Sequence, residues 1–99
     1  MFAFKQNGVH LFAGDIFVIV VNNQPESCVV LGWIDNKIVL MIPREEDGVV
    51  SVVRGAHQNQ EGFYEPDSVL PMFCEENADI DWRTIPIEAR QTLSVIMDL

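Results

Sequence analysis

Four short apolar runs between Ile16 and Val53 decide most of what this chain can become. They read Ile16-Phe-Val-Ile-Val-Val21, Cys28-Val-Val-Leu-Gly-Trp-Ile34, Ile38-Val-Leu-Met-Ile42 and Val49-Val-Ser-Val-Val53. Each is rich in β-branched residues and is bounded by turn residues, the pattern of consecutive strands. The first run has no polar alternation, so both of its faces are expected to be covered. Asn22 to Ser27, Asp35-Asn36 and Arg44 to Gly48 read as the connections. Gly32 lies inside the second run, where a glycine marks a bulge or a bend.

Ahead of these runs, Asn7-Gly8 sits between Phe2–Gln6 and Val9–Ala13. Asn-Gly is the strongest two-residue hairpin signal, and it pairs Phe4 with Leu11 and Lys5 with His10. Gly14-Asp15 then bends the chain into Ile16. After Arg54, residues 55–62 read as a polar loop. Phe63-Tyr64 and Val69 to Cys74 read as short edge or closing pieces interrupted by proline. Glu75 to Asp81 is an acidic connector. From Pro86 to Met97 the period changes. Ala89, Leu93, Ile96 and Met97 fall on one helical face, with Pro86 and Glu88 suited to the helix start. A helix of about three turns is too short to stand alone in water, so it must dock on the sheet.

One such helix covers only part of a sheet with so much apolar surface. The sheet must therefore curl or meet another molecule. The expected fold is α+β and mainly antiparallel: a small curled sheet or SH3-like barrel of about 5–7 strands with one C-terminal helix over about 86–97. The 99 residues form a single domain over 1–99. A homodimer through leftover apolar surface is expected beside the curl.

Asp15-Ile-Phe-Val-Ile-Val-Val, Pro25-Glu26 and Val29-Val-Leu-Gly-Trp-Ile34 resemble a segment found late in some phage and bacterial nuclease-like proteins. Phe63-Tyr-Glu-Pro with Ser68, Leu70 and Pro71-Met72 continues the similarity, which spans at most residues 15–72. In such proteins the metal-binding acids and a Glu-x-Lys lie upstream of the segment. Here 14 residues precede it, and none is Asp or Glu. The resemblance therefore implies a shared β scaffold without the active site. The chain also departs in the middle, where a valine-rich hairpin replaces the expected helix.

Chemistry-bearing residues are scattered. His10, His57, Cys28 and Cys74 show no metal-ligand spacing, and no metal or cofactor is expected. Asp79-x-Asp81 after Glu75-Glu76 lacks the spacing of a calcium loop. Asp35-Asn-Lys37, with Asp15 upstream, has a nuclease-like form but falls in a tight turn, where Asp and Asn belong for backbone reasons. Cys28 and Cys74 read as buried thiols. Neither they nor Ser27, Ser51 or Ser68 sit in an activating context, so an enzyme is not expected.

The net charge of −9 excludes phosphate-backbone binding and favours basic partners. No apolar stretch is long enough to span a membrane, and the N-terminus lacks the order of a signal peptide, so the cytoplasm is expected. The acids concentrate: Glu61, Glu65, Asp67, Glu75, Glu76, Asp79 and Asp81, with no Lys or Arg between Glu61 and Asp81. They read either as a solvated rim or as a docking surface for a basic protein. Trp82 follows them, either as its aromatic anchor or as a side chain packed under the helix start. The expected function is a small acidic, non-enzymatic interaction module, an inhibitor or adaptor. The alternative is a small-ligand-binding or hydrolytic barrel using His57 or Asp35.

Overall fold

A computed structural model describes residues 4–6, 9–73 and 85–97. The elements run β1 (Phe4–Gln6), β2 (Val9–Leu11), β3 (Ile16–Val21), β4 (Gln24–Ile34), β5 (Lys37–Glu46), β6 (Val49–Gln58), β7 (Tyr64–Phe73) and α1 (Ile87–Met97). β1 and β2 form a two-stranded sheet in the expected register, Phe4 opposite Leu11 and Lys5 opposite His10. β3 to β7 form an antiparallel meander in sequence order. This sheet curls into a half-barrel that brings β7 close to β3 without a ladder between them.

Three tight turns set the registers. Asn22-Asn23, Asp35-Asn36 and Asp47-Gly48 all have positive φ at both central positions, between 51° and 76°. That twist matches the right-handed twist of flanking strands, and Asn, Asp and Gly accept it at least cost. The strands consequently run further than their apolar cores. Gln24 to Ser27, expected as a connection, belongs to β4 and pairs with β3. Alternation from the Val21–Gln24 pair turns the Pro25 nitrogen away from β3, and β5 pairs only from Val29 onward, so no ladder donor is lost. Pro43 does not end β5; the ladder shifts between Ile42 and Glu46 and resumes. Gly55 to Gln58, expected as loop, continues β6, and Tyr64 to Phe73 is one edge strand through Pro66 and Pro71. Near Gly32 the β4–β5 ladder gains one residue, Leu31, as a bulge.

The curl gives the sheet two apolar faces. On the concave face Ile19, Cys28, Val30, Leu40 and Val53 are fully buried, and Leu11 of the N-terminal hairpin packs among them. On the convex face Val29, Met41, Val50 and Val52 meet Ala89 and Leu93 of α1, which lies over β4 and β5. Ile96, expected on the docked face, is exposed instead, whereas Ala89 and Leu93 are buried and Met97 packs half-buried against the same cluster. Cover on both faces also fails for β3, where Ile16 and Val18 are 47% and 53% exposed. β3 is an edge strand outside the helix footprint. Trp33, in central strand β4, is partly buried against the concave cluster.

Gly14 is the joint between sheet and helix. Its N–H donates to Val30 O at 2.8 Å, and its carbonyl accepts from Thr92 Oγ1 at 2.8 Å. A Cβ there would stand 2.6 Å from the backbone oxygen of Glu88, and φ is +93°. Only glycine lets the β2–β3 bend and α1 approach this closely.

Candidate functional site

The polar side chains gather where the β4–β5 turn and the β6–β7 loop meet. His57 and Glu65 are cross-strand partners on β6 and β7. Asp67 lies two residues beyond Glu65, on the same side, and leans over Gly55. A Cβ on Gly55 would overlap the Asp67 carboxylate, and its φ of +80° also demands glycine. In this position Asp67 Oδ1 is 2.7 Å from His57 Nδ1, and Oδ2 is 3.7 Å from Lys37 Nζ. The other His57 nitrogen is 3.8 Å from Glu65 Oε2. Both ring nitrogens thus face carboxylates, which suits holding a histidine in place.

Asn59 fixes the loop that follows. Its side-chain oxygen accepts from the backbone N–H groups of Glu61 and Phe63, at 2.9 and 3.0 Å, and its amide donates to Glu65 Oε1 at 2.8 Å. One asparagine therefore shapes the loop and orients Glu65. Phe63 is left 56% exposed beside a depression of about 540 Å³ that Glu61 and Glu65 also line. At the other end of the band, Arg54 reaches Asp35 of the β4–β5 turn at 3.2 Å. Four carboxylates, from Asp35, Glu61, Glu65 and Asp67, stand in this band against the cations Lys37 and Arg54.

Beyond Asp35 the surface changes character. A cleft of about 890 Å³ opens between the β4–β5 hairpin and the start of α1. Leu31, Ile34 and Val39 line its sheet side, and Ile85 and Pro86 its helix side.

Of the residues singled out by sequence, Glu65 and Asp67 flank His57, and Glu61 lines the neighbouring depression with Glu65. Glu75, Glu76, Asp79, Asp81 and Trp82 lie outside the described residues, as does Cys74. Asp35 and Lys37 sit in and beside a tight turn, as expected. The first engages Arg54 and the second Asp67. Among the described residues, no group of three or more His, Cys, Asp or Glu is placed to hold a metal ion. Cys28 is enclosed by apolar side chains, and burial, with Glu26 adding to it, pushes its thiol up to about 12. A thiol held so firmly protonated is not a nucleophile.

Sequence reasoning missed the role of Gly55 and the cleft. The first leaves a trace, a glycine two residues before His57 and an aspartate two residues after Glu65, readable once the hairpin register is known. The second has none, because Ile85 and Leu31 are distant in sequence. Among the described residues, no helix is long and apolar enough to cross a membrane. No family model matches the chain, and no curated protein or solved structure matches it either.

Proposed function

We propose that this protein is a small non-enzymatic interaction module, an inhibitor or adaptor that docks a basic surface of a protein partner. The observation that carries the reading is how the charges are spent. Lys37, Arg44 and Arg54 are each paired with a carboxylate of the chain itself, with Asp67, Glu26 and Asp35 respectively. The large acidic excess is left for other molecules. Glu61 and Glu65, beside the exposed Phe63, offer carboxylates around an aromatic anchor, a combination suited to a cationic patch. Asp67, which also holds His57, stands in the same acidic band. The acids at 75, 76, 79 and 81 and Trp82 follow β7 in the sequence and add to the acidic excess. A buried reduced thiol at Cys28 fits the cytoplasm, which we include in the reading.

The test is affinity capture from the native host with mass spectrometry. The intact chain is compared with a charge-reversed variant carrying Glu61→Lys, Glu65→Lys, Glu75→Lys and Glu76→Lys. A basic partner retained by the first and lost by the second supports the reading. Equal retention by both counts against it.

A homodimer is a second element of this proposal, favoured by the exposed Ile16 and Val18 on edge strand β3. Sedimentation equilibrium decides it: a monomer at micromolar concentration removes the dimer. The alternative of a ligand-binding or hydrolytic barrel draws on the His57–Asp67 pair. The concave face favours the interaction module over it, because apolar side chains fill the space where such a barrel would hold its ligand.

A further inference from the structure

We infer that the cleft between the β4–β5 hairpin and the start of α1 anchors the basic partner, taking an apolar side chain flanked by Lys or Arg. The inference rests on the interaction-module reading and gives it a place and a ligand chemistry. The cleft is large enough for one or two side chains, at about 890 Å³. Leu31, Ile34 and Val39 make its sheet side apolar, and Ile34 at its edge is 54% exposed, so the apolar floor is open to a ligand. Asp35 and Glu88 also line it, and among the described residues no Lys or Arg does. Arg54 binds only one oxygen of Asp35, whose side chain is 85% exposed, so the other oxygen is open to a ligand. An apolar floor between two carboxylates selects a group that is greasy at its centre and cationic at its flanks.

The surroundings favour the same occupant. From Asp35 the polar band continues through Arg54, Lys37 and Asp67 to Glu65 and Glu61, with carboxylates in excess. A segment seated in the cleft and running toward the β6–β7 loop meets acids along its path. A second copy of this chain would bring a charge of −9 against the same rim, and like charges at a rim oppose docking. Anionic ligands are disfavoured for the same reason.

The experiment is a titration of the ¹⁵N-labelled full chain, followed by amide shifts, with three acetylated and amidated pentapeptides: Lys-Leu-Lys-Leu-Lys, Lys-Ser-Lys-Ser-Lys and Glu-Leu-Glu-Leu-Glu. The expected result is that the first peptide binds most tightly and shifts the amides of Leu31, Gly32, Ile34 and Glu88. In the variant Ile34→Lys, whose spectrum elsewhere reports an intact fold, its affinity falls about tenfold or more. Equal binding of the leucine and serine peptides, with shifts confined to Glu61 and Glu65, overturns the cleft as anchor and leaves the basic-partner reading standing. Tighter binding of the glutamate peptide, or no binding of either lysine peptide at ~1 mM, overturns both.

Discussion

Asp67 occupies the space that a side chain on Gly55 would need. The Cβ position of Gly55 lies 2.9 Å from Asp67 Cγ, and the carboxylate resting there bridges His57 and Lys37. The two strands of the β6–β7 hairpin are thus joined by a carboxylate laid across a backbone.

Gly55→Ala is therefore expected to destabilise the fold by about 1–3 kcal/mol, through the positive φ and through displacement of Asp67. Asp67→Ala in the same chain should restore the steric part and leave the backbone part. Denaturant unfolding of both single variants and the double variant measures the coupling. Strict additivity would show that Asp67 does not occupy the Gly55 position.

Asn59→Ala should loosen the β6–β7 loop. Two backbone donors lose their acceptor, and Glu65 loses its amide partner. The loss is about 1–2 kcal/mol, and hydrogen exchange at the amides of Glu61 and Phe63 should rise before global stability is exhausted. Unchanged exchange at both amides would contradict the loop geometry.

Cys28 should resist alkylation in the native protein. Burial, and secondarily Glu26, raises its thiol from 9.0 to about 12. The unfolded state releases this proton first, so folding holds the full contribution below about pH 9 and loses it as pH rises toward 12. In a Cys74→Ser variant, iodoacetamide at pH 9 should label Cys28 only at the rate of unfolding. Labelling as fast as in denatured chain would mean that the thiol is open.

Two of the contacts that dock the helix can be tested separately. Leu93→Ala empties a fully buried site on the convex face and should cost about 2–5 kcal/mol. Thr92→Val removes the hydroxyl that donates to Gly14 O and should cost about 0.5–1.5 kcal/mol. Val95, 84% exposed on the same helix, is the control: Val95→Asp should stay within about 0.5 kcal/mol. Thermal unfolding ranks the three, and a Val95 effect as large as that of Leu93 would mean that α1 docks by another face.

The strands, the N-terminal hairpin register, the Asp35-Asn36 turn, the Gly32 bulge and the C-terminal helix could all be read from the sequence. These depend on neighbours along the chain: apolar period, turn chemistry and caps. Strand ends were misread at Gln24, Pro43 and Gly55 for one reason. Polar residues and proline look like loop locally, yet a partner strand can carry the ladder past them at a sheet edge or a bulge. The grouping of Glu61 and Glu65 was legible as charge; their fixation by Asn59 was not.

Local pattern and composition were enough to specify an antiparallel β chain with one helix, too apolar to stay flat. Where the excess apolar surface went depended on contacts between distant parts of the chain. The curl hides most of it on the concave face, while α1 shields β4 and β5 and leaves Ile16, Val18 and Ile34 exposed. Curvature and the helix footprint are properties of the whole sheet, set by bulges and long-range registers. That is why Gly55 beneath Asp67, and the cleft between Ile34 and Ile85, exist only once the chain has closed on itself.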